Sequence, residues 1–353
     1  MTKITCLPKV IAENTSYVMK PISEQILSGQ LTTQAKEELL GMKLSEDADQ
    51  KDAAINEETS VIELREAMGW HKANHKNEHE LIIVNQIMNG VNVRVYTQKS
   101  LANQELPVIL FIHGGGFFCG SLDNVEYPCR YLADQGAVRV ISIDYGLAPE
   151  NPYPRDLLDC YQVLVYVHNH KQELLINDDS ITVMGDSAGG NLTYALALLD
   201  CQLGSNYLTS CVALYPVTYQ GKRQDLQNYF GNPQNLNLKQ DAKMIATYIN
   251  NFGESMPLID DWYIHGADPE SMYISPLTAP ESLLAKLPRT LFIVGEFDPL
   301  RLQGEAFYHK MKLAGGDITY IRYNGMIHAF MDKVGDFPQA DDALAEALNF
   351  ILN

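Results

Sequence analysis

Short apolar runs alternate with amphipathic segments from about residue 80 to the end of the chain. The runs LPVILFI (106–112), VRVISID (138–144) and SITVM (180–184) have the length and composition of strands that are buried on both faces. Residues 156–170 separate two of these runs and carry a wide apolar face at helical spacing. This alternation predicts an α/β fold with a mostly parallel central sheet flanked by helices.

The N-terminal part of the chain follows a different pattern. Residues 16–29, 32–44 and 60–73 each predict a short amphipathic helix, and the first two end near a glycine. The acidic stretch 45–58 contains few apolar residues and predicts an exposed linker. We therefore expect residues 1–85 to form an N-terminal helical cap segment over one end of the sheet.

The remaining residues, 86–353, are expected to form the main α/β domain. A segment at about 218–285 interrupts its strand pattern and is rich in Asn, Asp, Tyr and Pro. It contains the helix-like stretch 238–252. We interpret this segment as an insertion that contributes to the same cap.

The charge and the cysteines narrow the classes of function. A formal net charge of -18 at pH 7 opposes the binding of nucleic acid or of an anionic membrane surface. The six cysteines lack the spacing of a zinc site and HExxH is absent, so no metal is expected. The N-terminus shows no apolar signal segment, and no apolar run is long enough to span a membrane, so the predicted location is the cytoplasm.

One serine lies in a glycine-rich stretch between a predicted strand and a predicted helix. In VMGDSAGGNL (183–192), Gly185 and Gly189 stand two positions on either side of Ser187. This GxSxG pattern is typical of a nucleophile elbow, where side chains at the glycine positions would collide with the adjacent strand and helix. The alternative is a glycine-rich loop that contains a serine, and the flanking elements favour the nucleophile.

A second glycine-rich segment, HGGGF (113–117), follows an upstream strand. Its consecutive peptide N–H groups lie on a turn with few side chains, which is what the oxyanion of an acyl-transfer intermediate requires. A phosphate-binding loop fits less well, because Cys119 stands where GxGxxG needs its third glycine and GxxxxGK is absent.

A base and an acid for Ser187 are expected after later strands. Asp298 follows one apolar run and His328 follows the next, which gives the order serine, acid, histidine. His328 taken alone is equally consistent with a packed structural residue. Glu296, two residues before Asp298, is an alternative acid.

Four motifs, HGGGF, GDSAGGN, FDPL and GMIHAF, occur in this order along the chain. They resemble the motifs of the hormone-sensitive-lipase family of α/β-hydrolases, and the bacterial acetyl esterase and carboxylesterase branch is the most similar. The resemblance covers roughly residues 90–353 and includes DYGLAPE (144–150). It implies an α/β-hydrolase fold with a helical cap built from the N-terminus and an insertion.

The same resemblance implies roles at the matching positions. Ser187, His328 and Asp298 would form a catalytic triad, because the DPL loop matches at Asp298. The oxyanion hole would consist of the backbone amides of Gly115, Gly116 and Ala188.

Supporting roles are expected for several neighbours of these residues. The resemblance implies that His113 braces its own loop by hydrogen bonding and is not the base. Position alone suggests that Asp186 braces the elbow and that Glu296 supports the acid loop. Phe117 and Phe118, which follow the glycines, line the substrate pocket or pack in the core.

The function implied is that of a serine carboxylesterase that hydrolyses short-chain esters (acetyl to butyryl) of small soluble alcohols through an acyl-enzyme. No cofactor is required, the expected partner is a small-molecule ester, and a homodimer is plausible. Two alternatives stay open. One is a non-catalytic small-molecule receptor on the same scaffold, which the presence of His328 disfavours, and the other is an amidase or peptidase that uses the same triad.

Overall fold

A ten-stranded sheet lies at the centre of the part of the chain that the computed structural model describes, which comprises residues 10–11, 17–23, 25–48, 61–68, 75–222 and 232–353. The strands are β1 (Val10–Ile11), β2 (Tyr17–Lys20), β3 (Leu81–Met88), β4 (Val91–Gln98), β5 (Leu106–Ile112), β6 (Arg139–Asp144), β7 (Ile176–Asp186), β8 (Ser210–Leu214), β9 (Arg289–Gly295) and β10 (Ile318–Tyr323). The helices of the described residues are α1 (Thr33–Ala48), α2 (Val61–Met68), α3 (Glu126–Gln135), α4 (Arg155–Asn169), α5 (Ala188–Leu203), α6 (Ala242–Ile264), α7 (Glu281–Leu284), α8 (Arg301–Leu313) and α9 (Pro338–Leu352).

Seven neighbouring strands of this sheet run parallel. The spatial order is β1-β2-β10-β9-β8-β7-β5-β6-β4-β3, and every pair from β2 to β6 is parallel. Antiparallel strands add β1 at one edge and the β3–β4 hairpin at the other. Every residue of β8 is buried, and successive residues of a strand point to opposite faces, so both faces of the sheet are covered. The predicted α/β fold with a mostly parallel sheet is confirmed.

The carboxyl ends of the parallel strands meet at one edge of the sheet. β5 ends at Ile112, β7 at Asp186, β9 at Gly295 and β10 at Tyr323. The end of β7 lies inside one of the four sequence motifs, and the other three ends lie within two residues of the start of a motif. Open parallel sheets bind ligands at this edge, and here the sheet brings the motifs together.

The N-terminal segment contributes a strand that the sequence pattern does not predict. Tyr17–Lys20 lies within the stretch 16–29, for which a helix is expected, and that expectation is wrong. These residues form β2, which pairs in parallel with β10 in a register that places Tyr17 opposite Tyr320. Pairing with a strand from the far end of the chain decides the conformation here, because β propensity depends on the neighbouring strand more than on local periodicity.

Helix α1 is longer than the sequence indicates. It passes through Gly41, near which the helix predicted for 32–44 ends, and continues to Ala48. Among the described residues, nothing lies within 4 Å of the place a Cβ on Gly41 would take, so this glycine costs only about 1 kcal/mol of helix propensity. The linker predicted for 45–58 therefore starts inside α1, and residues 49–58 lie outside the described part.

The third predicted helix of this segment, 60–73, corresponds to α2 at Val61–Met68. Residue 60 and residues 69–73 lie outside the described part of the chain. Two N-terminal helices are therefore present where the pattern predicts them, whereas residues 17–20, which precede them, form a strand.

A buried cation fastens β2 to the body of the protein. Lys20 is 1% exposed, and its Nζ lies 2.7 Å from Asp342 Oδ2 and 2.6 Å from Glu346 Oε1, both on α9. The hydroxyl of Tyr323 on β10 donates a hydrogen bond to the same Asp342 oxygen at 2.6 Å. A buried charge is tolerated only where opposite charges and hydrogen bonds compensate it, and α9 supplies two carboxylates.

We expect Lys20→Met to lower the free energy of unfolding by about 3–5 kcal/mol, because the variant removes the cation that faces two buried carboxylates. Urea-induced unfolding measures this loss. Lys36→Met is the matched control: Lys36 pairs with Asp241 at 2.6 Å but its side chain is 46% exposed. The control should lose less than about 1 kcal/mol. If both variants lost the same free energy of unfolding, burial would not be the reason for the large contribution of Lys20.

Helices from two separate parts of the chain lie over the carboxyl edge of the sheet. Leu39 of α1, Leu64 of α2 and Met244 of α6 line one cavity there. The boundaries at residue 85 and at about 218–285 stay predictions. Among the described residues, no helix combines the length and the apolar character that crossing a bilayer requires, although α6 has 23 residues.

Candidate active site

Ser187 occupies a tight turn between β7 and α5. Its φ is +52° and its ψ is −114°, in a region that non-glycine residues rarely adopt. A Cβ on Gly185 would lie 2.3 Å from the carbonyl oxygen of Gly189, and a Cβ on Gly189 would lie 2.0 Å from that of Ile112. Both glycines are therefore required for the close approach of helix and strand. This geometry is that of an elbow and not of an ordinary loop.

Three side chains from three loops are joined by hydrogen bonds at this turn. His328 Nε2 lies 2.9 Å from Ser187 Oγ, and His328 Nδ1 lies 2.8 Å from Asp298 Oδ2. The other carboxylate oxygen of Asp298 accepts a hydrogen bond from the amide of Leu300 at 2.7 Å. With the Nδ1 proton donated to the carboxylate, the lone pair of Nε2 faces the serine hydroxyl.

The insertion helix α6 packs directly against His328. The Tyr248 hydroxyl accepts a hydrogen bond from the backbone N–H of His328 at 3.1 Å, and the ring of Phe252 lies 5.1 Å from the imidazole. Met244, Tyr248 and Phe252 all line the cavity. No sequence motif marks these three residues, although their spacing of four residues places them on one helix face.

His113 is buried in the glycine loop. Its Nδ1–H donates a hydrogen bond to the carbonyl of Gly114 at 2.7 Å, and its ring stacks on Tyr145 with a centroid distance of 4.3 Å. Burial lowers the pKa of His113 to about 4, so the imidazole is neutral at pH 7. A neutral, packed histidine with this contact is suited to bracing its loop.

Asp186 connects the elbow to the glycine loop. Its Oδ1 accepts a hydrogen bond from the Gly114 N–H at 2.8 Å, and the residue is 2% exposed. Burial raises the pKa of Asp186, against the effect of the Gly114 amide. The contact fixes the start of the glycine loop relative to Ser187.

Asp332 lines the cavity, as Glu38 and Asp186 do. Asp332 lies in the short 3-10 helix Phe330–Lys333 that follows His328. Burial and the negative charge of Asp186 raise the pKa of Asp332. No motif marks Asp332, because its surroundings come from distant parts of the chain.

Of the three residues whose amides are considered for an oxyanion hole, Ala188 follows Ser187 in the chain, and Gly115 and Gly116 line the same cavity as Ser187. Gly115 and Gly116 line the cavity with φ values of +117° and +60°, and Ala188 is the first residue of α5. Cys119 N–H donates to the Gly115 carbonyl at 2.9 Å, a turn so tight that a Cβ on Gly115 would lie 2.1 Å from the Cys119 carbonyl oxygen. In the described part of the chain, no acceptor is present for the N–H groups of Gly115 and Gly116. Such donors, next to a helix N-terminus, can stabilise a developing anion.

Phe117 and Phe118 both line the cavity and pack against α6. The ring of Phe117 stacks on Tyr263 with a centroid distance of 3.8 Å, and that of Phe118 meets Trp262 edge-on at 5.6 Å. Each phenylalanine is at most 2% exposed. The positions of the two rings are thus compatible with both expected roles, lining the pocket and packing in the core.

Glu296 lies apart from the imidazole. Its two carboxylate oxygens accept hydrogen bonds from the amides of Gly29 at 2.9 Å and Gly325 at 2.8 Å. Burial raises the pKa of Glu296. This carboxylate joins the N-terminal segment to the loop before His328, which is a supporting position.

The cavity in front of Ser187 has a volume of about 540 Å³. Most of its wall is apolar and comes from α1, α2, α6 and the loops at the carboxyl edge. Glu38 and Lys333 also line it, and they form an ion pair of 2.7 Å that joins α1 to the segment after His328. A small ester with an apolar part fits the volume and the lining of this site.

The parallel sheet, the serine elbow and the capped cavity define an α/β hydrolase. Residues 109–332 match the family described as alpha/beta hydrolase fold, and the chain belongs to that family.

Named relatives and solved structures add detail to this assignment. An arylesterase of Saccharolobus solfataricus is 32% identical over 241 residues, which are 68% of this chain and 72% of the relative. A carboxylesterase of Mycobacterium tuberculosis is 30% identical over 263 residues, or 74% and 77% of the two chains. The structure of a hyperthermophilic esterase from the archaeon Pyrobaculum calidifontis matches with a TM-score of 0.72 at 27% identity, over 91% of this chain and 98% of the other.

Proposed function

We propose that this protein, a carboxylic ester hydrolase of the family, cleaves short-chain esters (acetyl to butyryl) of small alcohols through an acyl-enzyme on Ser187. One observation carries the proposal. Hydrogen bonds run without interruption from Asp298 through His328 to Ser187, and the serine hydroxyl faces a cavity of about 540 Å³.

The first half of the reaction forms the acyl-enzyme. Ser187 Oγ attacks the ester carbonyl carbon while His328 Nε2 takes the hydroxyl proton. Asp298 holds the imidazole in the tautomer that can accept this proton and stabilises the imidazolium. The imidazolium then gives its proton to the alkoxy oxygen, the carbon–oxygen bond breaks, and the alcohol leaves.

The second half releases the acid. Water attacks the acyl carbon, and His328 takes one water proton and returns it to Ser187 Oγ as the acyl bond breaks. The amides of Gly115, Gly116 and Ala188 stabilise the oxyanion of both tetrahedral intermediates.

The two alternative functions have less support. A non-catalytic receptor has no need for a serine hydroxyl within 2.9 Å of an imidazole that is itself bonded to a carboxylate. An amidase or peptidase would use the same three side chains, and no separate observation favours it. An anilide substrate distinguishes it from the esterase in the assay below.

We expect kcat/KM to be highest for p-nitrophenyl acetate or butyrate, and to fall by about 10-fold or more for the octanoate and further for the laurate. The physical reason is that each added methylene must find space in a cavity of limited volume. Initial rates with the four esters, and with p-nitroacetanilide for the amide, measure this. Fastest turnover of the laurate would contradict the short-chain preference, and a folded protein inert towards all four esters would contradict the enzyme itself.

A further inference from the structure

Arg65, in the short helix α2, forms hydrogen bonds with two loops at the carboxyl edge of the sheet. Its Nε–H donates to the carbonyl of Phe118 at 2.6 Å, and its Nη2 donates to the carbonyl of Ala148 at 3.0 Å. Phe118 directly follows the HGGGF segment, and Ala148 belongs to the loop after β6. One guanidinium therefore bridges the backbones of both loops.

The other edge of the guanidinium is held by a carboxylate. Nη1 and Nη2 donate to the two oxygens of Glu150 at 2.9 and 2.8 Å. Glu150 is in the same loop as Ala148, so the bidentate pair orients the flat group towards the two carbonyls. The side chain of Arg65 is 27% exposed, which leaves the ion pair itself partly screened by solvent. The hydrogen bonds to the two carbonyls, more than the ion pair, therefore hold the two loops together.

The segment that Arg65 holds is continuous with the amides beside Ser187. The N–H groups of Phe118 and Cys119 both donate to the carbonyl of Gly115, at 3.3 and 2.9 Å. The peptide whose carbonyl contacts Arg65 therefore closes the turn that presents Gly115 and Gly116. Ala148 N–H also donates to the carbonyl of Phe117 at 3.0 Å, so the two loops are bonded directly to each other just before that peptide.

We infer that Arg65 is a positioning residue, which sets the direction of the Gly115 and Gly116 amides by fixing the end of their turn. The inference rests on the proposed function, because those amides matter only if an oxyanion forms there. Donors that stabilise a transition state must point at the developing charge before the reaction begins, and small displacements cost much of the effect. Arg65 itself touches no reacting atom.

Steady-state kinetics with p-nitrophenyl butyrate test this role. In Arg65→Ala, kcat should fall by about 100-fold while KM changes by less than about 3-fold, since the interaction lost is one made in the transition state. Inhibition by phenylboronic acid, which forms a tetrahedral adduct with a serine hydroxyl, should weaken by a similar factor. Arg65→Lys should recover only part of kcat, because an ammonium cannot span both carbonyls with a planar fork.

Lys36→Ala is the matched control for a loosened cap. It removes the 2.6 Å contact between α1 and Asp241, the residue before α6, and leaves the glycine loop untouched. Its kcat should match the wild type, and thermal melting checks that each variant is folded. If Arg65→Ala does not fold, Arg65→Lys is measured in its place with the same assays.

The outcomes separate the inference from the proposed function. A wild type inert towards esters would overturn the function and the inference together. An active wild type with an unchanged kcat in the folded Arg65 variants would overturn the inference alone. So would an equal loss in Lys36→Ala, or a change in KM without a change in kcat and in boronic acid affinity.

Discussion

Ser187→Ala should lower kcat for p-nitrophenyl butyrate by about 10⁶-fold, the largest effect expected of any single change in this chain. The variant keeps the strained turn and the cavity but removes the oxygen that attacks the carbonyl. The rate that remains would come from binding and from the loop amides alone. Rates with the enzyme in excess over substrate, compared with buffer, measure such a loss.

Ser205→Ala supplies the control for this experiment. Ser205 lies just beyond the end of α5, the helix that Ser187 precedes, and donates a hydrogen bond to the carbonyl of Asp200. A helix of this length spans about 24 Å, so the same chemical change occurs far from the cavity. The control should retain wild-type activity. A folded Ser187→Ala variant that does the same would refute the acyl-enzyme.

Asp298→Asn should lower kcat by about 10⁴-fold with little effect on KM. The amide is almost the same size as the carboxylate, but it does not hold the imidazole with its proton on Nδ1 or stabilise the imidazolium. His328 would then present the wrong tautomer to Ser187. Steady-state kinetics and thermal melting of the same preparation separate this loss from loss of fold.

Glu296→Gln distinguishes the two acids that the sequence offers. Glu296 contacts the amides of Gly29 and Gly325, so we expect the substitution to lower the melting temperature and to change kcat by less than about 10-fold. The reverse result, with Glu296→Gln inactive and Asp298→Asn active, would transfer the role of the acid to Glu296.

Much of the fold and of the candidate site can be predicted because it depends on short, continuous stretches of the sequence. Short apolar runs give the parallel strands, and glycines around Ser187 and in 113–117 indicate turns that tolerate no side chain. Ser187, Asp298 and His328 each come after a predicted strand, so their order along the chain is the order of those strands. The cytoplasmic location that the sequence predicts, and the homodimer that the family resemblance allows, are not tested by the structure.

The features that the sequence does not predict depend on contacts between distant residues. Residues 17–20 become a strand only because β10 is beside them, and their own pattern also fits a helix. Nothing in the sequence distinguishes Arg65 from other helical residues, because only the fold brings it into contact with Phe118 and Ala148. Asp332 acquires its raised pKa from burial and from Asp186, which is far away along the chain.

The pairing of β2 with β10 also bears on the order in which the chain folds. About 300 residues separate β2 from its parallel partner, and the carboxylates that face Lys20 lie further along the chain. Closing so long a loop is slow and follows the more local contacts. Since His328 comes just after β10, the strand that precedes the histidine loop gains its β2 neighbour late in folding.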